Sequence, residues 1–200
     1  RQEVALTEDR YVNDFRIIIE FSMKPLFTFA KAGDLQQVFG NLRELYEINL
    51  TFLSNLRRGF YQLQSPSVEL TETMFQFIQK LPAYTEYYVN FDKSNEMRQK
   101  LKASSKYRAF LDDLQAKSPT PTFDLDSYLI KPCQRLPRYK LLLEAVTKLM
   151  PDTHRERPAL LKITQALNQV IVDINERKRD EENRQKVVLL AGKLSCPPNF

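Results

Sequence analysis

Three polar side chains occupy positions where the surrounding pattern calls for apolar ones. Near the start, Val4, Glu8, Tyr11, Phe15 and Ile18 form a heptad stripe with a carboxylate where a hydrophobic residue belongs. Such a carboxylate either pairs with a neighbouring Lys or Arg at the rim, or is held on a rigid face to accept hydrogen bonds from a partner. Arg138 falls one turn before Leu142, Ala145 and Leu149, at the end of an apolar seam. Its guanidinium is a planar fork of N–H donors suited to a carboxylate or a carbonyl. Asn175 follows Leu167 and Ile171 at helical steps, which places an amide near the buried face. A core Asn satisfied by its neighbours is the alternative there. What these three side chains supply is directed hydrogen bonding, the chemistry of recognition.

Little else in the chain suggests chemistry. There is no P-loop, no Gly-rich phosphate cradle, no Ser/His/Asp set and no metal-ligand spacing. His154, the one histidine, sits in a polar stretch without a Cys beside it, so no metal or other cofactor is expected. Only two cysteines occur, Cys133 and Cys196, which fits a reducing intracellular compartment better than a disulfide scaffold. Thirty basic residues against 25 acidic ones leave a formal charge of +5. That bias is modest, and no dense basic tract or RNA-binding signature accompanies it, so nucleic acid is not an expected partner. A membrane-bending bundle would need a broad basic face, whereas acids are mixed throughout. The longest apolar runs, such as Ile17 to Ile19 and Leu141 to Leu143, are far too short to span a bilayer.

The elements that position these residues are helices. Glycine is scarce, at 4 of 200 residues, and no Asn-Gly or Asp-Gly hairpin dipeptide occurs, which argues against a β fold. The first helix carries the Glu8 stripe and kinks or stops at Pro25. Asp34 is the expected N-cap of a second helix, whose apolar face runs from Leu35 through Val38, Leu42, Leu45, Phe52, Leu56 and Phe60 to Leu63. Ser65-Pro66-Ser67 breaks it. Val68 to about Leu81 follows, then an aromatic helix from Pro82 with Tyr84, Tyr87, Tyr88 and Phe91. A shorter helix pair carries Met97, Leu101, Tyr107, Phe110, Leu111 and Leu114, and Lys117 to Pro121 reads as a linker. Asp124 caps a long stretch that must kink or restart at Pro132, and which also contains Pro137. A last helix runs from Pro158 to about Lys193, its charged second half, Glu176 to Lys186, expected to project as a solvated extension. The expected architecture is all-α, an elongated bundle of about six helices with long kinked members.

The string Leu129 to Leu143, LIKPCQRLPRYKLLL, resembles the third conserved region of Dbl-homology domains. Leu6 to Leu26, LTEDRYVNDFRIIIEFSMKPL, is similar to the first region of that family, and Tyr84 to Leu111 to the second. The last helix ends in INERKRDEEN, as such domains do. The resemblance covers nearly the whole chain in the right order. Lys140 departs from it, standing where many members have proline.

The resemblance implies a guanine-nucleotide exchange factor for a Rho-family small GTPase, acting in the cytoplasm without covalent chemistry and without a cofactor. The GTPase would dock across the first helix, the third region and the last helix. Glu8 would accept hydrogen bonds from switch I, Arg138 would bond switch II, and Asn175 would work beside it. Gln134 and Ile130, one and two turns before Arg138, would add contacts, with isoleucine at 130 leaning towards a Rac-like partner. Phe123 would add selectivity. Residues 1–193 would form the domain, and 194–200 the start of a linker to a pleckstrin-homology neighbour that recruits the protein to membranes. The rival reading is a helical scaffold that tethers partners without exchange; intact Glu8, Arg138 and Asn175 weigh against it. The chain starts inside what reads as a helix, as an excised segment would.

Overall fold

The computed structural model describes residues 2–61, 70–118 and 123–194. The expected helix break at Ser65-Pro66-Ser67, the Pro119-Thr120-Pro121 linker and the tail with Cys196 lie outside the described residues. Among the described residues there are helices and no strand. They run α1 (Gln2–Ile18), a π-helical turn (Ile19–Met23), α2 (Lys24–Phe29), α3 (Ala32–Phe39), α4 (Leu42–Tyr61) and α5 (Leu70–Ile78). Then follow α6 (Pro82–Lys102), α7 (Ser105–Lys117), α8 (Leu125–Leu129), α9 (Lys131–Leu149) and α10 (Arg157–Leu194). The all-α architecture is as expected, but the helices are more numerous than six because several expected long ones are interrupted.

Each interruption has a local cause. Pro25 has no N–H to give to the preceding turn, and the helix slips register just before it: the Lys24 N–H bonds Ile19 O, five residues back. The expected eight-turn helix from Leu35 onward is in fact α3 and α4, divided at Gly40. That residue has φ +52°, where only glycine sits without strain, and its N–H closes α3 on Gln36 O. The helix containing Asp34 starts earlier than expected, at Ala32, with Lys31 rather than Asp34 at its cap. Met97 and Leu101 belong to α6, which runs unbroken to Lys102. Asp124 does cap α8, its Oδ2 accepting from the Ser127 N–H at 2.9 Å. The chain restarts at Lys131 with Pro132 in the first turn of α9, where the missing N–H costs nothing.

Pro137 lies inside α9 and deprives the Cys133 carbonyl of its helical donor. The Tyr88 hydroxyl of α6 bonds that carbonyl instead. Next to it, the Tyr87 hydroxyl donates to Leu129 O at 2.7 Å, at the break between α8 and α9. Tyr88 thus supplies the donor that Pro137 lacks, and Tyr87 ties the break before α9 to the same helix.

Among the described residues the buried hydrophobics form one cluster. It takes in the α1 stripe, then Leu35 and Val38 of α3, and Leu42, Leu45, Phe52 and Leu56 of α4. Tyr84 and Tyr87 of α6 join it, with Leu136, Tyr139 and Leu143 of α9 and Leu160, Ile163, Leu167 and Ile174 of α10. α1 packs along α4, while α10 packs on α9, α6 and α5. The charged half of α10 is not a free extension. Lys93 of α6 bonds Glu181 at 2.8 Å and Lys178 pairs with Asp92 at 3.2 Å, so this stretch is moored along α6. The apolar run Val187 to Leu190 beyond it is exposed.

Replacing Gly40 tests the α3–α4 division. A Cβ there would stand 3.1 Å from Asn90 Nδ2, on a backbone that other residues adopt at a cost of about 1–3 kcal/mol. Gly40→Ala is expected to lower unfolding free energy by about that amount in urea titration.

Candidate functional site

The pattern-breaking residues lie on α1, α9 and α10, at different depths. Ile130, Gln134 and Arg138 recur every four residues and lie exposed along one face at the start of α9. Neither the Gln134 nor the Arg138 side chain makes a hydrogen bond or ion pair among the described residues, so their donors are available. Asn175 is also exposed, which corrects the expectation of an amide near the buried face: its neighbour Ile174 fills the core instead. α9 and α10 form a hairpin in which Lys140 Nζ bonds Asn168 Oδ1 at 2.9 Å. That register carries Asn175 past Lys140 towards the N-terminal half of α9, where Arg138 and Gln134 stand. Burial pushes the Cys133 thiol of α9 upward in pKa, and the ammonium of Lys178, one turn beyond Asn175, opposes that rise.

Glu8 is placed otherwise than expected. It is 0% exposed, so it is not a free acceptor on the surface of α1. Its Oε2 accepts from Arg135 Nη2 at 2.6 Å and from the Tyr139 hydroxyl at 2.7 Å, both on α9. Of the two readings that the sequence left open, pairing with a basic neighbour is the one the free chain adopts, although in the core and not at the rim. The other oxygen, Oε1, has no hydrogen-bond partner among the described residues. Burial pushes the Glu8 carboxyl upward from its ordinary value, opposed by the charge of Arg135 and by the hydrogen bonds from Tyr139 and Arg135. Two donors converging on one oxygen is the arrangement an ionised carboxylate makes.

A polar network extends behind this pair. Tyr139 OH lies 2.9 Å from Asn49 Oδ1 of α4, and Tyr84 OH of α6 lies 3.1 Å from the same oxygen. The Asn49 amide donates to Tyr84 OH at 2.8 Å and to Leu45 O at 2.6 Å, and Tyr11 OH sits 3.3 Å from Tyr84 OH. Burial holds the Tyr11, Tyr84 and Tyr139 hydroxyls well above their usual titration range, so all three keep their protons. The Arg135 guanidinium carbon lies 5.0 Å from the Tyr11 ring centre and 4.4 Å from that of Tyr139. Burial disfavours the charge on Arg135, but Tyr139 and Glu8 outweigh it and raise its pKa further.

Arg135 also forms part of the wall of a groove of about 300 Å³ between α1 and α9. Thr7, Arg10, Tyr11 and Asp14 line one side, and Lys131, Gln134, Arg135 and Arg138 the other. Lys131 is held by Asp14 at 2.8 Å, while Arg10 and Arg138 are exposed. The groove is therefore cationic, and it suits an acidic or carbonyl-rich protein segment. Among the described residues no group of His, Cys, Asp and Glu could hold a metal ion. No described helix is long and apolar enough to cross a membrane.

Phe123, which the resemblance offers for selectivity, lies in the core. It is 3% exposed and packs on Tyr128, with ring centres 5.0 Å apart. Any effect on a partner passes through Tyr128 and through Lys131, whose ammonium stands 3.6 Å from the Tyr128 ring centre. Sequence reasoning passed over Arg135, Tyr139 and Asn49. Asn49 carried a signal of the same kind as Glu8: it sits between Leu45 and Phe52 at helical steps, a polar residue inside an apolar stripe.

Comparison with known proteins bears on the family and the fold. The RhoGEF domain family model matches residues 1–175, and the chain belongs to that family. It is 30% identical over 198 residues to Rho guanine nucleotide exchange factor TIAM2 of Homo sapiens, a match covering 91% of this chain and 12% of that protein. It is 28% identical over 195 residues to myosin-M heavy chain of Dictyostelium discoideum, covering 96% of this chain and 11% of that one. These relatives are thus several times longer than the chain. Its fold is similar to that of the PDZ-RhoGEF DH/PH domains solved in complex with GTP-gamma-S activated RhoA. The TM-score is 0.82 at 19% identity, over 92% of this chain and 54% of that one, and this likeness concerns the fold alone.

Removing Glu8 leaves a buried guanidinium without its counter-charge. Glu8→Ala is expected to cost about 3–5 kcal/mol of folding stability in guanidinium titration. A cost near zero would mean that the pair does not hold α1 to α9.

Proposed function

We propose that this chain is the exchange module for a Rho-family small GTPase, with a Rac-like partner favoured, and that it stabilises the nucleotide-free GTPase. Family membership supports the activity. The observation that carries the site is the exposed face of Ile130, Gln134 and Arg138 with Asn175 alongside, next to a cationic groove whose rear wall is Arg135. Arg138 and Asn175 offer unengaged donors to switch II, and Ile130, 36% exposed, offers an apolar contact suited to a Rac-like surface. Glu8 serves switch I from behind Arg135.

The mechanism is one of linkage. A module that binds the empty GTPase more tightly than the loaded one weakens nucleotide binding by the same factor. Opening switch I and pushing switch II towards the magnesium site removes ligands from the ion and the phosphates. A thousandfold faster release takes about 4 kcal/mol. Two or three charge-assisted hydrogen bonds at roughly 1.5–3 kcal/mol each supply it. The reading calls for no covalent chemistry. Recruitment to a membrane by a neighbouring pleckstrin-homology domain belongs to the same reading, with 1–193 as the exchange domain.

Release of a fluorescent guanine nucleotide from Rac-, Cdc- and Rho-type GTPases tests this reading. The chain is expected to accelerate release from at least one of them. Arg138→Ala and Asn175→Ala should each slow it by about tenfold or more, from loss of a hydrogen bond to a charged or polarised group. Both are exposed, so the fold should survive. Exchange at near the normal rate in both variants would refute the site, and no exchange by the folded chain on any GTPase would favour a scaffold that only tethers partners.

A further inference from the structure

We propose that Tyr139 is the positioning residue for Glu8, keeping the carboxylate in place when a docked partner draws Arg135 into the groove. This inference rests on the exchange reading above. Arg135 is shared between two surroundings: it bonds Glu8 Oε2, and it lines the groove together with Thr7, Tyr11 and Arg138. A protein segment that settles there offers carboxylates or carbonyls to the guanidinium. Glu8 has no exposed surface, so a partner reaches it only as Arg135 moves. Of the two donors on Oε2, Tyr139 is the one that then remains.

The surroundings of Tyr139 suit it to that task. Its ring is wedged edge-on against Phe77 at 5.1 Å and Phe52 at 6.1 Å between centroids, so the ring cannot follow Arg135 outward. Its hydroxyl proton has two acceptors in reach, Glu8 Oε2 and Asn49 Oδ1. The Asn49 oxygen also has Tyr84 as a donor, and the Asn49 amide is committed to Leu45 O and Tyr84 OH. With Tyr84 supplying Asn49, the Tyr139 proton goes to Glu8. The carboxylate is thereby clamped through Oε2, and Oε1, which has no partner among the described residues, is left to accept from the GTPase. The groups facing Glu8 are then Arg135 and Tyr139 of α9, Tyr11 of α1, and Tyr84 with Asn49 behind.

A buried carboxylate reached only after docking takes no part in the first encounter. Its contribution therefore falls on the maximal exchange rate, and the half-saturating GTPase concentration stays put. Tyr139→Phe keeps the wedged ring and removes only the hydroxyl. It is expected to lower the maximal exchange rate about tenfold, the usual effect of losing a hydrogen bond to a charged group, with half-saturation within about twofold. In a Glu8→Gln background the same change should add almost nothing, because a residue that acts through Glu8 has nothing left to position. Full multiplication of the two losses, or an unaffected Tyr139→Phe, overturns the proposal.

A second measurement needs no GTPase and covers the case in which Glu8→Gln does not fold. The hydrogen bond from Tyr139 lowers the Glu8 pKa, so its loss should move the Glu8 carboxyl titration, followed by carbon-13 NMR, to higher pH. An unmoved titration overturns the clamp. Exchange lost in Arg138→Ala but intact in Tyr139→Phe would overturn this inference alone. No exchange by the unmodified chain would overturn the exchange reading and this inference together.

Discussion

The structure turns on a carboxylate and a guanidinium buried against each other between α1 and α9. Glu8 and Arg135 are 0% and 4% exposed, and their charged atoms lie 2.6 Å apart. Withdrawing two such ions from water costs several kcal/mol each, recovered only where geometry and further hydrogen bonds are good. Tyr139 supplies one such bond, and the rings of Tyr11 and Tyr139 flank the cation. A one-turn slip of α1 along α9 would part the two charges and leave both buried and unpaired. The pair therefore fixes the register of these two helices, which an all-apolar seam would hold only loosely. Through Asn49 and Tyr84 the same network reaches α4 and α6, so four helices share one polar centre.

α9 is positioned by a second constraint, the shortage of backbone donors at its prolines. Pro132 begins the helix harmlessly, whereas Pro137 leaves the Cys133 carbonyl unbonded within it. Tyr88 answers from α6, and Tyr87 beside it bonds Leu129 O at the break before α9. The carbonyls they reach lie on the core side, so Ile130, Gln134 and Arg138 are turned to solvent. The exposure of that face follows from where the hydroxyls stand. It also explains how a helix with an interior proline stays regular enough to present side chains four residues apart.

Much of this was legible in the amino-acid order. Scarce glycine, apolar positions at helical steps and the Asp124 cap specify an all-helical bundle, and Pro132 marks the restart of α9. Glu8, Arg138 and Asn175 stood out because each broke a stripe. The number of helices was less legible, since a stripe can run on in phase across a glycine that turns the chain. Leu35 and Leu45 both face the core, yet Gly40 divides the helix between them. The charged half of α10 looked like a free extension because its partners, Asp92 and Lys93, lie more than 80 residues away in sequence.

Depth came from packing alone. Periodicity reports which face of a helix a residue occupies, but not whether a second helix covers that face. Glu8 and Asn175 look alike by that measure. α9 closes over Glu8 and supplies it with Arg135 and Tyr139, while nothing among the described residues covers Asn175. Phe123, named for selectivity, also lies in the core, against Tyr128. Residue order was enough to specify the helices and their polar exceptions, because those follow from local propensity and pattern, and its conserved regions carried the family resemblance. Which exceptions are satisfied inside the protein and which remain open to a partner depended on contacts between residues more than a hundred positions apart, such as Glu8 and Arg135, and these exist only once the chain has folded.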